Sequence, residues 1–208
     1  MPTPIARPGK IVCVGKNYLD HVREMGGEAP TEEPILFLKP PSAVIGDGDR
    51  ILLPARSTRV DFEGELVAII GRTLHNASPD EALAAVAGYC CGNDVTARDL
   101  QESDGQWTRA KGFDTFAALG PALATGLDPT DLAIETRVNG DVRQFSRTSL
   151  LIRPVSELLA FISAVMTLEP GDAVYTGTPA GVGPLTPDDV VEVEIEHVGI
   201  LRNTVAAG

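Results

Sequence analysis

Aromatic residues are scarce: six Phe, three Tyr and one Trp make up 5% of the 208 residues, so aliphatic packing must supply most of any core. Cysteine is scarcer still. Cys13, Cys90 and Cys91 are odd in number, two of them are adjacent, and no C-x-x-C pair occurs. That argues against a disulfide framework and against a cysteine zinc site, and favours buried thiols in a reducing compartment. Basic residues are also in deficit, 17 Lys and Arg against 29 Asp and Glu, for a net charge of −12. Nucleic acid and anionic membrane surfaces are disfavoured as partners by that balance. An anionic small substrate stays open, because a bound metal reverses the local field. No apolar run is long enough to span a membrane, and residues 1–8 contain no apolar stretch of the signal-peptide kind. A soluble cytoplasmic protein is expected.

What is present suffices for a sizeable core: 43% of the residues are hydrophobic. The length suits one domain covering residues 1–208. Short apolar stretches at 10–15, 35–39, 50–53, 88–96 and 173–177 read as strands, and 190–196 alternates cleanly, with its valines and Ile195 facing inward. Asn139-Gly140 between two β-type runs is a type I′ hairpin signal. Ser78, Pro79 and Glu81 open a helix as N-cap, N1 and N3. Residues 155–168 form the clearest amphipathic helix, with Leu158, Leu159, Ile162, Val165 and Met166 on one side. Residues 16–25 carry a shorter helical pattern, followed by a Gly/Pro-rich loop to Pro34 that reads as mobile. The fold class is α+β, β-dominated, with a few short helices.

The chain is organised around residues 60–71. Their second half is a β-branched run, and alternation puts Asp61, Glu63 and Glu65 on one strand face. Such carboxylates repel by about a few kcal/mol per pair at an effective dielectric near 20. Solvent, protonation, a cationic side chain or a metal must offset this. Asp94, near the end of another strand, completes a facial set with Glu63 and Glu65. An all-carboxylate set selects a hard cation, Mg²⁺, Mn²⁺ or Ca²⁺; the alternatives are a solvated face or salt bridges to Lys39 or Arg98. Asp61 could instead orient a ligand or a lysine from outside that set. His21 and Glu24 are three apart on a helix, a spacing that suits a general-base pair or simply an exposed face. Residues 176–183 form a Gly-rich loop whose amides and Thr178 hydroxyl could bind a carboxylate, although the G-K-[ST] ending of a phosphate loop is missing.

Motifs then accumulate in order: Gly15-Lys16-Asn17-Tyr18, Phe37-Leu38-Lys39-Pro40, Asp61-Phe62-Glu63-Gly64-Glu65-Leu66, Asn93-Asp94-Val95-Thr96-Ala97-Arg98-Asp99, Lys111-Gly112-Phe113-Asp114 and Thr176-Gly177-Thr178-Pro179-Ala180-Gly181-Val182-Gly183. Together they resemble the fumarylacetoacetate hydrolase superfamily, and 20–25 are similar to its acylpyruvase and oxaloacetate decarboxylase branch. The resemblance implies that family's mixed β-sandwich roll and a homodimer. It implies Mg²⁺ or Mn²⁺ held by Glu63, Glu65 and Asp94, with Ca²⁺ as a non-native occupant. It also implies that Lys111, Arg98, Gln101, Gly177 and Thr178 face the substrate, and that residues 17–33 are a lid carrying His21 and Glu24. The implied substrate is a small 2-oxo acid with a 4-oxo or 4-carboxyl group. Hydrolysis of an acylpyruvate or fumarylpyruvate to pyruvate and a carboxylic acid is the leading reaction. Decarboxylation or isomerisation of oxaloacetate or of an unsaturated dicarboxylic 2-oxo acid in aromatic catabolism is the alternative. A metal-dependent 2-oxo acid binding protein would keep the carboxylates without turnover. The segment between Gln101 and Trp107 is shorter than in some acylpyruvases, which bears on the length of substrate admitted.

Overall fold

The computed structural model describes residues 6–27 and 33–208. Part of the expected mobile loop, residues 28–32, lies outside the described residues. The first half of the chain contains β1 (Ile11–Gly15), α1 (Leu19–Glu24), β2 (Ile35–Lys39), β3 (Val44–Ile45), β4 (Arg50–Leu53), β5 (Val60–Phe62), β6 (Gly64–Ile70), α2 (Pro79–Ala84), β7 (Val86–Asp94) and β8 (Thr96–Ala97). The second half adds α3 (Arg98–Asp104), α4 (Thr108–Lys111), β9 (Ala117–Ala124), β10 (Ala133–Val138), β11 (Asp141–Arg147), α5 (Val155–Val165), β12 (Ala173–Tyr175), β13 (Gly183–Pro184), β14 (Val190–Ile195) and β15 (Gly199–Ala207).

Among the described residues the strands form three sheets, ordered β2-β1-β12-β6-β7-β9-β3, β11-β10-β14-β15-β4 and β13-β5-β8. Both large sheets are mixed. β1 runs parallel to β12, β3 to β9 and β15 to β4, while the other neighbours in these two sheets are antiparallel. Inward side chains of the two sheets, among them Val12, Leu66 and Ala68 on one and Ile134, Val193 and Leu201 on the other, share one core with Leu158, Leu159 and Ile162 of α5. This is the β-dominated α+β sandwich that the resemblance implies.

Local signals hold where backbone chemistry dictates them. Asn139 and Gly140 both take positive φ, 55° and 86°, and join β10 to β11. Ser78 and Glu81 make the reciprocal capping box at the start of α2. All three cysteines are free and buried. Three expectations need correction. The helix expected over 155–168 ends at Val165, because Leu168 leaves it to pair with Leu74. Lys111-Gly112-Phe113-Asp114 reads from the sequence as a polar connection, but its start is the end of α4, with Ala110 and Lys111 buried. The acidic stretch is not one strand: it breaks at Glu63, with β5 in the small sheet and β6 in the large one.

Candidate active site

The break at Glu63 builds the site. Glu63 N–H donates to Asn93 Oδ1 at 2.9 Å, and Asp94 N–H donates to Glu63 C=O at 2.8 Å. Pairing of β6 with β7 sets Glu65 opposite Gly92 and Gly64 opposite Asn93, so Asp94 falls beside Glu63. On the other flank of β6, β12 ends at Tyr175 and the chain continues along the strand. Gly177 N–H donates to Glu65 Oε2 at 2.7 Å, and Thr178 Oγ1 to Gly64 C=O at 2.9 Å. The glycine is required there: φ is +105°, and a Cβ would lie 2.7 Å from Asn17 Cβ.

These contacts bring one carboxylate oxygen each of Glu63, Glu65 and Asp94 within 4.8 Å of one another, all three side chains buried. Asp61 is not part of that set. Its carboxylate is gripped by Arg59 Nε and a terminal nitrogen at 2.9 and 3.0 Å and by Arg98 Nε at 3.0 Å. Arg98 in turn donates to Glu63 Oε1 at 2.5 Å and to Gln101 Oε1 at 2.6 Å. Lys111 Nζ bridges Glu63 Oε2 and Asp94 Oδ2, both at 2.8 Å. Lys39, fully buried at the end of β2, donates to the carbonyls of Val95 and Phe116 and lies 2.6 Å from Asp94 Oδ1. That last contact is an ion pair too poorly aligned to count as a hydrogen bond, so Asp94 Oδ1 has no hydrogen-bond donor of its own.

Four buried carboxylates thus face three buried cations: Asp61, Glu63, Glu65 and Asp94 against Lys39, Arg98 and Lys111. Burial acts against ionised Glu63, yet Lys111 and Arg98 beside it hold the carboxyl below its usual range. On Glu65 burial, then the charges of Asp94 and Glu63, push the carboxyl well above the ordinary carboxylate range, and the Gly177 N–H and Lys111 pull the other way too weakly to prevail. Lys39 is lowered by burial against the pull of Asp94, whereas Asp94 and Glu63 overcome burial and raise Lys111. A surplus of buried negative charge, an underused Asp94 oxygen and oxygen-only donors fit a hard divalent cation.

Above the carboxylates lies a cavity of about 210 Å³, lined by charged and polar groups that include His21, Arg98, Gln101, Lys111 and Thr178. His21 is 7% exposed, and its Nδ1 lies 3.3 Å from Glu24 Oε2. Glu24 stands behind it, and both carboxylate oxygens accept the Gly181 N–H, at 3.0 and 3.1 Å. His21 is therefore buried at the cavity, while Glu24 stays on the exposed side of α1. Gly177 also lies behind the cavity wall, where its amide holds Glu65. The Thr178 hydroxyl, besides donating to Gly64, accepts from Gln144 Nε2 at 2.8 Å. Sequence reasoning weighed Lys39 as a salt-bridge partner of the carboxylates, as it is to Asp94, and assigned no site role to Asn93 or Gln144. Lys39 does leave a trace, as a lone lysine closing an apolar strand before Pro40; nothing local marks Gln144, whose contacts are made across the sandwich.

The family model described as fumarylacetoacetate (FAA) hydrolase C-terminal matches residues 10–206. A solved structure of 2-hydroxyhepta-2,4-diene-1,7-dioate isomerase from Mycobacterium marinum is 49% identical, with TM-score 0.91 over 99% of this chain and 77% of that one. Fumarylpyruvate hydrolase from Pseudomonas aeruginosa, solved in complex with Mn²⁺ and pyruvate, is 34% identical, with TM-score 0.91 over 97% of this chain and 91% of that one. The mitochondrial oxaloacetate tautomerase FAHD2A of Bos taurus is 44% identical over 214 residues, 97% of this chain and 68% of that protein.

Proposed function

The chain belongs to the fumarylacetoacetate hydrolase family, and from that premise we propose that it is a metal-dependent enzyme cleaving the C3–C4 bond of an acylpyruvate-type 2,4-dioxo acid to pyruvate and a carboxylic acid. The observation that carries this reading is His21, backed by Glu24, at the wall of the same cavity as the three carboxylates. Glu63, Glu65 and Asp94 would hold Mg²⁺ or Mn²⁺, which supplies Lewis-acid polarisation of the 2-oxo acid. The Mn²⁺ and pyruvate in the Pseudomonas aeruginosa relative support that class of ligand.

The chain's own groups divide the remaining work. With Glu24 accepting from Nδ1–H, His21 keeps Nε2 as an acceptor for a proton from water. That water adds to the C4 carbonyl, and the proton passes to C3 as the C3–C4 bond breaks. Lys111 has three N–H donors, two of them committed to Glu63 and Asp94, which leaves one for a developing oxyanion. Arg98 fixes the carbonyl end of Gln101, so the Gln101 amide can donate into the cavity. Gly177 and Thr178 position Glu65 and the Gly64 backbone, so their contribution is indirect.

A second reading rests on the names of other relatives. Isomerase and tautomerase at 49% and 44% identity stand beside hydrolases at 45% and 34%. In that reading His21 takes a proton at C3 and returns it, and no water is needed; oxaloacetate decarboxylation draws on the same polarised 2-oxo group. The test is a pyruvate-release screen over acylpyruvates, fumarylpyruvate and oxaloacetate with Mg²⁺ and Mn²⁺, alongside keto–enol interconversion of oxaloacetate. Hydrolysis predicts ¹⁸O from labelled water in the carboxylic acid product. It also predicts a loss of about 10²–10⁴-fold in acylpyruvate cleavage for His21→Ala, with a much smaller effect on decarboxylation. Interconversion of oxaloacetate with no cleavage of any acylpyruvate would replace the first reading by the second. The resemblance also suggests a homodimer with an isologous interface; a monomer mass by light scattering at micromolar concentration would refute that.

A further inference from the structure

The apolar part of the catalytic cavity's lining is Val14, Met25, Phe37 and Trp107. Phe37, from β2, sits with its ring 4.9 Å from Lys111 Nζ, and so directly beside the carboxylates that Lys111 bridges. Against Phe37 stands Trp107, the sole tryptophan, in an edge-on contact with ring centroids 5.3 Å apart. Gly15 lies against the indole so closely that a Cβ there would meet Trp107 Cζ3 at 2.7 Å. On the other side of the two rings is a larger groove of about 620 Å³, lined by Leu36, Leu38, Val165 and Met166 among others. Among the described residues Phe37 and Trp107 alone line both spaces.

We propose that Trp107, packed on Phe37 and backed by Gly15, is the wall that sets substrate length by closing the catalytic cavity off from the apolar groove. This rests on the reading of the site as one for a small 2-oxo acid. With the acid group at the carboxylates, the flank of the cavity toward Lys16, His21, Arg98, Gln101 and Glu102 is polar or charged apart from Met25, the residue after α1. An apolar substituent finds compatible surface toward Phe37 and Trp107, and there the indole stops it. A cavity of about 210 Å³ fits a short acyl group. Removing the indole joins the cavity to a groove whose apolar lining would favour each added methylene by about fourfold in affinity.

The experiment uses binding, so it does not depend on which reaction the enzyme performs. Straight-chain 2-oxo acids from 2-oxobutanoate to 2-oxodecanoate are titrated in the presence of Mg²⁺ into the wild type, Trp107→Ala and Trp107→Ala/Val165→Arg. Val165 is 58% exposed and lines only the outer groove, so the arginine places a charge there without touching the cavity. The wild type should bind short acids and lose affinity as the chain lengthens. Trp107→Ala should gain at least tenfold for 2-oxodecanoate relative to 2-oxobutanoate when set against the wild-type ratio; the double variant should give back most of that gain. Gly15→Ala, which must displace the indole without deleting it, should also relax the length limit. Melting curves establish that each variant is folded. Superimposable chain-length profiles for wild type and Trp107→Ala, with short acids still bound, overturn the wall and leave the functional reading standing. Failure of the wild type to bind any of these acids overturns the functional reading, and the wall with it.

Discussion

Gly64 separates two of the three clustered carboxylates, and no other residue type fits there. A Cβ would sit 2.1 Å from Thr136 Oγ1 and 3.2 Å from Gln144 Oε1. The same Gln144 oxygen accepts the Gly64 N–H at 2.9 Å, and its amide nitrogen reaches Thr178 and the Pro179 carbonyl. Gly64→Ala should therefore destabilise the fold by about 1–3 kcal/mol, the usual cost of overpacking. It should also weaken Mn²⁺ binding, because Glu63 and Glu65 move with the backbone between them. Thr136 Oγ1 has no hydrogen-bond partner, so Thr136→Ala makes room at little polar cost. The double variant should recover part of both losses in denaturant melts and in calorimetric titration with Mn²⁺. If Gly64→Ala leaves both unchanged, the packing argument fails. Lys39 makes a second residue-scale case. Lys39→Met leaves two buried carbonyls without their donor and Asp94 with Lys111 as its remaining cation, and should cost about 1–3 kcal/mol by denaturant titration, the usual penalty for unsatisfied buried polar groups.

At the scale of elements, α1 is the piece least able to stand alone. It has six residues and no side-chain N-cap, far short of what an isolated helix needs in water. It is held at two ends instead. Asn17, just before it, exchanges hydrogen bonds with Arg153 and donates to the Thr176 carbonyl; Glu24, its last residue, accepts from Gly181. Between those ties it buries His21 and Val22. A short helix tethered by a handful of polar contacts, over a cavity that a ligand fills, is suited to opening and closing. Amides of residues 19–27 should therefore exchange quickly without ligand and slow by at least tenfold with saturating oxalate and Mg²⁺, which mimic the chelating end of a 2-oxo acid. Glu24→Gln should reduce that protection, while amides in β6 and β7 stay protected throughout. Identical exchange in both states would show that α1 is a fixed wall.

For the molecule as a whole, the dominant feature is negative charge: −12 overall, with four buried carboxylates against three buried cations at the centre. A divalent cation bound only by the folded state adds stability by mass action, about 2.7 kcal/mol at a hundredfold excess over Kd. For a chain of this size that corresponds to about 2–4 °C in Tm per kcal/mol. Dialysis against EDTA should lower Tm, Mn²⁺ or Mg²⁺ should restore it, and Glu63→Ala, Glu65→Ala and Asp94→Ala should each remove most of the metal-dependent shift. A Tm indifferent to EDTA and to added metal would sink the carboxylate set as a metal site. Among the described residues no helix is long and apolar enough to cross a membrane.

Whatever depends on near neighbours was legible in the chain itself. The capping box at Ser78, the Asn139-Gly140 turn and the alternation in β14 all follow from side-chain period or from backbone φ, which a few residues specify, whereas Asp94 joins Glu63 and Glu65 through the pairing of β6 with β7. The order of the motifs was likewise enough to place the family. Tertiary structure decided which partner each charge meets. Asp61 goes to Arg59 and Arg98, and not to the carboxylate cluster, because the strand breaks at Glu63. Glu24 closes on Gly181 across 157 positions, and Gln144 reaches Gly64 across 80. Phe37 and Trp107 meet because α4 docks beside β2. Period tells which face a side chain occupies, but the group opposite that face depends on the register of strands far apart in the chain. In a mixed sandwich with parallel pairs such as β1–β12 and β4–β15, that register forms only when the sheets assemble.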